Sequence, residues 1–189
     1  MTKSDLRKVL RKARREHVLA QPDMVRGLLF NMPPRPLLAK IDASASIGLY
    51  HATQFEAPTN AYARFFQDAG HTVALPSFAD ENADMEFRAH TDPHAETDLE
   101  PGPFGLVQPS QNAALISPDV VCVPLVGFTP ELERIGQGGG HYDRWLAAHP
   151  NAIAIGLAWD VQLCKELPVE PHDMRLDGVI TPTRMYGLD

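Results

Sequence analysis

Apolar residues along the chain fall into short continuous runs separated by stretches with helical spacing. The clearest run covers residues 120–126, where branched side chains are interrupted by one proline. Continuous apolar runs of this length are typical of strands that are buried on both faces of a sheet. They predict strands at 46–50, 72–75, 120–126, 152–157 and 178–181, with a further short strand at Met85–Phe87.

Helical spacing fills the intervals between these runs. Residues 3–20 carry apolar side chains at intervals of three and four, and Ser4 is a suitable N-cap. That spacing predicts a helix with one side formed by Leu6, Val9, Leu10, Ala13 and His17. Further helices are predicted over residues 23–30, 57–69 (ended by Gly70), 142–148 and 161–166.

Strands alternating with helices indicate an α/β fold, built as a single layered domain with a mainly parallel central sheet flanked by helices. A chain of 189 residues suits one domain, so we expect residues 1–189 to form one unit. Residues 77–118 are polar and rich in proline, and no element is assigned to most of them.

Charge divides the chain unevenly. Residues 1–20 carry seven Lys or Arg against two acids, whereas the remainder carries ten against 22. The acidic body argues against general nucleic-acid binding, but an anionic ligand against the N-terminal segment is compatible with this pattern. The charged N-terminus and the short apolar runs predict a cytoplasmic protein without a membrane segment. Cys122 and Cys164 form no CxxC pattern and are interpreted as reduced thiols.

A glycine-rich stretch, Gly136–Gly140, follows the strongest strand and precedes a predicted helix. Glycines let backbone N–H groups approach an anion, and a helix N-terminus adds partial positive charge. Arg134 and Arg144 flank the loop, and Asp143 offers a carboxylate for Mg²⁺. The loop has neither the Walker pattern nor the GxGxxG order. From spacing alone, a phosphate site and a structural turn both remain open.

The segment Arg134–Arg144 (RIGQGGGHYDR) resembles the RLGxGxGYYDR signature of the 5-formyltetrahydrofolate cyclo-ligases. The resemblance continues in order along nearly the whole chain. The other segments that carry it are Lys3–Arg7, Ile47–Tyr50 with Glu56, Phe104–Leu106 with Gln108-Pro109, Val123–Phe128, Pro168–Asp173 and Leu176–Ile180.

The resemblance implies an ATP- and Mg²⁺-dependent ligase that converts 5-formyltetrahydrofolate to 5,10-methenyltetrahydrofolate, releasing ADP and phosphate. It implies catalytic roles for Arg134 and Tyr142, and magnesium binding by Asp143 and Asp173. It implies folate binding by Tyr50, Glu56, Gln137 and His141. ATP binding is implied for Lys3, Arg7, Arg134, Gly136, Gln137, Gly138, Gly139, Gly140, His141 and Tyr142. We expect the enzyme to act as a monomer.

The chain departs from the family pattern at five positions. Gln108 replaces a glutamate, Thr129 an aspartate, Leu132 a glycine, Gln137 an aromatic or basic residue, and His141 a tyrosine. These departures leave a second hypothesis open, namely a non-catalytic folate- or nucleotide-binding relative. Two interpretations of His141 also remain, a ring that packs on the ligand or a proton carrier. The basic side of the first helix is compatible with a solvated face as well as with an ATP site.

Overall fold

The computed structural model describes residues 2–188. Their α-helices are Lys3–Ala20 (α1), Asp23–Leu28 (α2), Arg35–Leu38 (α3), Asn60–Asp68 (α4) and His141–Ala148 (α5). Their β-strands are Ile47–Gly48 (β1), Val73–Ser77 (β2), Glu86–Ala89 (β3), Leu99–Pro101 (β4), Val107–Pro109 (β5), Leu115–Ile116 (β6), Val120–Pro124 (β7), Gly127–Phe128 (β8), Arg134–Ile135 (β9), Ile153–Leu157 (β10), Gly178–Ile180 (β11) and Met185–Tyr186 (β12).

One large sheet organises the fold, with strand order β12-β11-β10-β7-β1-β2-β3-β6. The five strands from β11 to β2 are mutually parallel, whereas β12, β3 and β6 are antiparallel additions at the two edges. The predicted α/β class with a mainly parallel sheet is confirmed. Two small antiparallel pairs, β4-β5 and β8-β9, lie outside this sheet.

Both faces of the central strands are buried. Alternation along β7 directs Val120 and Cys122 into one apolar cluster, and Val121 and Val123 into another. Helix α4 belongs to the first cluster and α5 to the second. Burial raises the pKa of the Cys122 thiol to about 12, so this sulfur is an inert core group rather than a nucleophile.

Helix α1 packs by a narrower face than the sequence indicates. Its buried residues are Leu10, Arg14 and Val18, spaced by four, whereas the predicted core position Val9 is exposed. The N-cap is Thr2 and not Ser4, since the Thr2 hydroxyl accepts from the Asp5 N–H and the Asp5 carboxylate accepts from the Thr2 N–H. This reciprocal pair is a capping box. It begins at Thr2, about one helical turn before Leu6, the first residue of the apolar pattern.

The predicted helix over 161–166 is wrong. Only a 3₁₀ turn forms, at Asp160–Gln162. Gln162 is buried there, and its amide nitrogen donates to the carbonyls of Leu125 and Val126. The apolar neighbours Val161 and Leu163 are instead exposed, which is the reverse of the pattern that a buried helix requires.

Strand β2 also runs further than predicted, through Pro76 to Ser77. A proline disrupts a strand only where the neighbouring strand would need the N–H that proline lacks. Pairing of β2 with β1 ends at Ala74, so no residue of β1 needs an N–H from Pro76. Pro76 pairs only with β3. The chain thus continues past the carboxyl end of β1.

Gly48 provides a test of this packing. A Cβ atom on Gly48 would lie 2.9 Å from the Phe87 ring and 2.9 Å from the Pro118 ring, and rigid rings yield little. We expect Gly48→Ala to lower the free energy of unfolding by about 1–3 kcal/mol in urea denaturation. The matched control is Gly27→Ala on α2, where a Cβ meets no atom within 4 Å. A control variant as unstable as Gly48→Ala would contradict the packing argument.

Candidate active site

A cavity of about 750 Å³ opens where strands of the parallel sheet end. Tyr50 follows β1, Pro76 lies near the end of β2, and Pro124 closes β7, and all three line the cavity. The carboxyl ends of parallel strands are where ligands collect in open α/β sheets. The first turns of α1 and the glycine loop form a further wall.

The glycine loop connects β9 to α5 in a conformation that needs glycine. Gly138 has φ +117° and Gly140 has φ +68°, in the left-handed region that side chains disfavour. Arg7 of α1 donates from Nε to the Gly136 carbonyl at 2.9 Å. The N-terminal helix therefore packs against the glycine loop, and both border the same cavity.

Lys3, Arg7 and Arg134 supply cationic groups to this wall. Lys3 Nζ lies 2.6 Å from Glu170 Oε2 and 2.6 Å from Asp173 Oδ2. Burial lowers the pKa of Lys3, but the bonds to these two carboxylates outweigh it, so the pKa is raised and the ammonium stays charged. Arg134, whose side chain is only 3% exposed, donates from one terminal nitrogen to Asp143 Oδ1 at 2.7 Å.

The two predicted magnesium ligands are held by different partners. Asp143 Oδ1 accepts from Arg134 and from the Met174 N–H, whereas Asp173 Oδ2 accepts from Lys3 and from the Glu170 N–H. Burial raises the pKa of Asp173, but the hydrogen bonds from Lys3 and Glu170 more than offset it and hold that pKa below its usual value. The Asp173 carboxylate therefore stays ionised and is suited to a cation.

Within the described residues, one group of three or more carboxylate, imidazole or thiol side chains is close enough to share an ion, namely Glu170, His172 and Asp173, whose ligand atoms lie within 4.8 Å of one another. Asp143 is not a member of this group. The metal pair Asp143 and Asp173 stays a prediction, and the geometry adds Glu170 as a third carboxylate beside Asp173.

Glu56 also lines the cavity and is held at both oxygens. Its Oε2 accepts from the Thr53 N–H at 2.9 Å, and its Oε1 accepts from Gln137 Nε2 at 3.2 Å. Tyr50 is buried beside it, and its hydroxyl donates to the Ala57 carbonyl at 2.7 Å. Tyr50 thus shapes the wall with its ring, because its hydroxyl is already used within the turn.

An aromatic group that includes His141 also lines the cavity. The His141 ring centroid lies 4.9 Å from that of Phe78 and 5.7 Å from that of Phe104. Burial and the neighbouring Arg144 lower the pKa of His141, so the imidazole is neutral near pH 7. These contacts favour ring packing over proton transfer for His141. Phe104 has φ +62°, a strained conformation of the kind found at ligand sites.

Three buried donors on cavity-lining residues lack partners among residues 2–188. The Tyr142 hydroxyl is the first, and burial raises its pKa well above the usual range, so it acts as a donor and not as a base. Arg14 Nε is the second, on a side chain whose sole hydrogen bond in the described structure reaches the Leu125 carbonyl at 3.3 Å. Arg134 Nε is the third. Unpaired buried donors are costly and are expected where a ligand supplies the acceptor.

Several residues that line the cavity were not predicted from the sequence as site residues. They are Arg14, Phe78, Met85, Phe104, Glu170 and His172. Spacing gave no signal for them, because the apolar members resemble core positions and the polar members resemble surface positions.

Two departures from the family pattern have structural explanations. Leu132 adopts φ +67°, which explains why the pattern has glycine there. Gln108 is buried and braces the cavity wall, since its amide accepts from the Phe78 N–H and donates to the Phe78 carbonyl, both at 3.0 Å. Thr129 is also buried, and its hydroxyl has no partner in the described chain.

No helix of residues 2–188 combines the length and apolar character that crossing a bilayer requires.

Similarity to characterised proteins agrees with this geometry. A 43% identical segment of 70 residues is shared with 5-formyltetrahydrofolate cyclo-ligase of Escherichia coli K12, spanning 36% of this chain and 38% of that protein. The probable 5-formyltetrahydrofolate cyclo-ligase of Caenorhabditis elegans is 28% identical over 149 residues, 72% of each chain. The segment shared with the Escherichia coli protein therefore covers well under half of that relative.

The fold has solved counterparts. The NMR structure of Aquifex aeolicus 5,10-methenyltetrahydrofolate synthetase superposes with a TM-score of 0.76 at 24% identity, covering 100% of this chain and 93% of that one. The 5,10-methenyltetrahydrofolate synthetase from Mycoplasma pneumoniae gives 0.66 at 21% identity, covering 96% and 98%. The sequence profile of the 5-formyltetrahydrofolate cyclo-ligase family matches residues 1–182, and this chain therefore belongs to that family.

Proposed function

We propose that this chain catalyses the ATP- and Mg²⁺-dependent conversion of 5-formyltetrahydrofolate to 5,10-methenyltetrahydrofolate. In the reaction, the formyl oxygen attacks the γ-phosphorus of ATP and ADP leaves. The second folate nitrogen then forms a bond to the activated formyl carbon and gives up its proton. The C–O bond to the phosphorylated oxygen breaks, which releases inorganic phosphate and leaves the methenyl bridge.

The observation that carries this proposal is that two chemically different groups of side chains line one cavity. The first group is cationic and consists of Lys3, Arg7 and Arg134, and the second consists of Glu56 with Phe78 and other apolar side chains. The first group suits a polyphosphate and the second suits a flat ring that carries N–H donors. A reaction between ATP and a folate requires both in one enclosure.

The residues proposed to bind phosphate act by position and charge, which is what phosphoryl transfer requires. Arg134 is fixed by Asp143, and its remaining donors are free to meet a phosphate oxygen. The loop Gly136–Gly140 offers backbone N–H groups at the start of α5. Tyr142, with its raised pKa, donates a hydrogen bond to a ligand oxygen and does not remove a proton. Glu56 accepts from the pterin amino and ring N–H groups.

The donor set fits magnesium. Asp143 and Asp173 each use one carboxylate oxygen for hydrogen bonds to the chain, which leaves the other for a hard cation. Mg²⁺ commonly takes one or two carboxylates together with phosphate oxygens. When bound, it supplies positive charge against the transferring phosphoryl group.

The test is direct. Purified protein is mixed with 5-formyltetrahydrofolate, ATP and MgCl₂, and the methenyl product is followed by its absorbance. We expect product only when all three are present, with one phosphate released per methenyl group formed. Binding of both ligands without product would instead support the alternative of a non-catalytic binding relative.

A smaller effect is expected at the α1 contact. Arg7→Met removes the bond to the Gly136 carbonyl and one charge beside the phosphate loop. We expect ATP affinity, measured by calorimetry, to fall about tenfold, which corresponds to about 1.4 kcal/mol. Lys8→Met removes the same charge from the exposed adjacent position and serves as the control. Equal losses in the two variants would show that only the general charge of α1 matters.

We also propose that residues 1–189 form one domain that acts as a cytoplasmic monomer and binds neither nucleic acid nor membranes. The net charge of −7 supports the absence of nucleic-acid and membrane binding, since an acidic body repels both kinds of polyanionic surface. Sedimentation equilibrium at micromolar concentration tests the monomer directly.

A further inference from the structure

Arg11 of α1 makes two contacts with a single residue of the glycine loop. Its Nε donates to Gln137 Oε1 at 3.0 Å, and a terminal nitrogen donates to the Gln137 carbonyl at 2.8 Å. Arg11 lies one helical turn after Arg7, which holds the neighbouring Gly136 carbonyl. Two successive residues of the loop are therefore fixed from the same face of α1.

The contact continues from Gln137 to Glu56, the proposed folate ligand. Gln137 Nε2 donates to Glu56 Oε1 at 3.2 Å, and the second Glu56 oxygen accepts from the Thr53 N–H at 2.9 Å. Arg11, Gln137 and Glu56 thus form a continuous hydrogen-bonded bridge. It joins three separate parts of the chain, and its middle member belongs to the phosphate loop.

The chemistry of the bridge specifies its middle residue. A guanidinium has only donors and a carboxylate only acceptors, so the residue between Arg11 and Glu56 must accept at one end and donate at the other. The Gln137 amide does both. A basic residue would meet Arg11 with like charge, and an aromatic hydrocarbon ring would serve neither partner. These are the residue types of the family pattern from which Gln137 departs.

We propose that Arg11 is a positioning residue, which through Gln137 fixes the orientation of Glu56 for folate recognition and couples that carboxylate to the phosphate loop. The inference rests on the proposed function for the identity of the ligand. The bridge itself is formed by residues of the chain alone. It assigns a role to Arg11, which contacts the lining residue Gln137, and gives a reason for the glutamine in the loop.

The first test needs no ligand. The Thr53 amide is distant from Arg11 in the sequence, and its hydrogen bond depends on the orientation of Glu56. We expect Arg11→Ala to accelerate exchange of the Thr53 amide proton, measured by NMR, about fivefold. Gln137→Met, similar in size but without the amide, should do the same. Lys8→Ala, which removes an equal charge from an exposed site of α1, should leave the exchange rate within about twofold.

The second test measures 5-formyltetrahydrofolate affinity by calorimetry for Arg11→Ala, Glu56→Gln and the double variant. We expect Arg11→Ala alone to weaken affinity about fivefold and to have no further effect when Glu56 is already replaced. Unchanged Thr53 exchange in Arg11→Ala overturns the bridge. An undiminished fivefold loss in the Glu56→Gln background overturns the positioning role. Accelerated exchange in a protein that binds no 5-formyltetrahydrofolate leaves the bridge intact and overturns the proposed function.

Discussion

Asp143→Asn is expected to reduce methenyl formation about a hundredfold or more at saturating ATP and Mg²⁺. Asparagine keeps an oxygen for the bonds from Arg134 and Met174, but it removes the negative charge that a magnesium ion requires. If Asp143 is a metal ligand, the Mg²⁺ concentration for half-maximal activity should rise as turnover falls. The measurement is a Mg²⁺ titration of the initial rate.

Stability must be measured beside activity, because Asp143 neutralises a cation whose side chain is 3% exposed. We expect the free energy of unfolding to fall by about 1–3 kcal/mol, since a charged hydrogen bond becomes a neutral one. Rates are therefore compared at a temperature where circular dichroism shows both proteins folded. Activity within about threefold of the parent would mean that Asp143 serves only Arg134 and that the metal lies elsewhere.

Arg134→Lys is expected to reduce turnover about a hundredfold, equivalent to about 2.7 kcal/mol of activation free energy. The guanidinium donates to Asp143 through one terminal nitrogen and has further donors for a phosphate oxygen. A lysine keeps the charge and the ion pair, but a single ammonium cannot reproduce this planar fork. If Arg134 served only to pair with Asp143, lysine would preserve activity.

The matched control is Arg175→Lys. Arg175 also donates to a carboxylate, that of Glu133, at 3.0 Å, but its side chain is 67% exposed. Exposed ion pairs contribute little, so we expect rate and melting temperature to stay close to the parent values. A comparable loss in both variants would indicate a general sensitivity to arginine replacement, and the specific role of Arg134 would then be rejected.

The central sheet could be predicted from the sequence because its strands have no solvated face. The runs 120–126 and 152–157 are continuously apolar, and the structure has strands at Val120–Pro124 and Ile153–Leu157. The edge strands β3 and β6 are short, and β6 is largely exposed, so the periodicity is weak there. The sequence predicts a helix where the structure has a 3₁₀ turn at Asp160–Gln162. The reason is that the buried Gln162 amide donates to the carbonyls of Leu125 and Val126, and such long-range bonds leave no local sequence pattern.

Only part of the candidate site could be predicted from the sequence. The glycine loop is visible because φ above zero at Gly138 and Gly140 demands glycine. Its partners are not visible, because Arg7 and Glu56 are distant in sequence and each resembles an ordinary surface residue. Only the resemblance to a family predicts that Arg7 and Glu56 belong to one site. The aromatic group of Phe78 and Phe104 could not be predicted as part of the site, because its side chains resemble core residues.

The partners of α1 determine when the chain can fold as it is synthesised. Arg14 reaches the Leu125 carbonyl, Arg7 reaches Gly136, and Lys3 reaches Asp173. Strand β1 likewise pairs with β7, which emerges from the ribosome far later. The basic, amphipathic helix α1 therefore lacks its packing partners until almost all of the chain has been synthesised. Closing such long loops makes folding slow, and the cavity wall formed by α1 and the glycine loop is therefore completed late in folding.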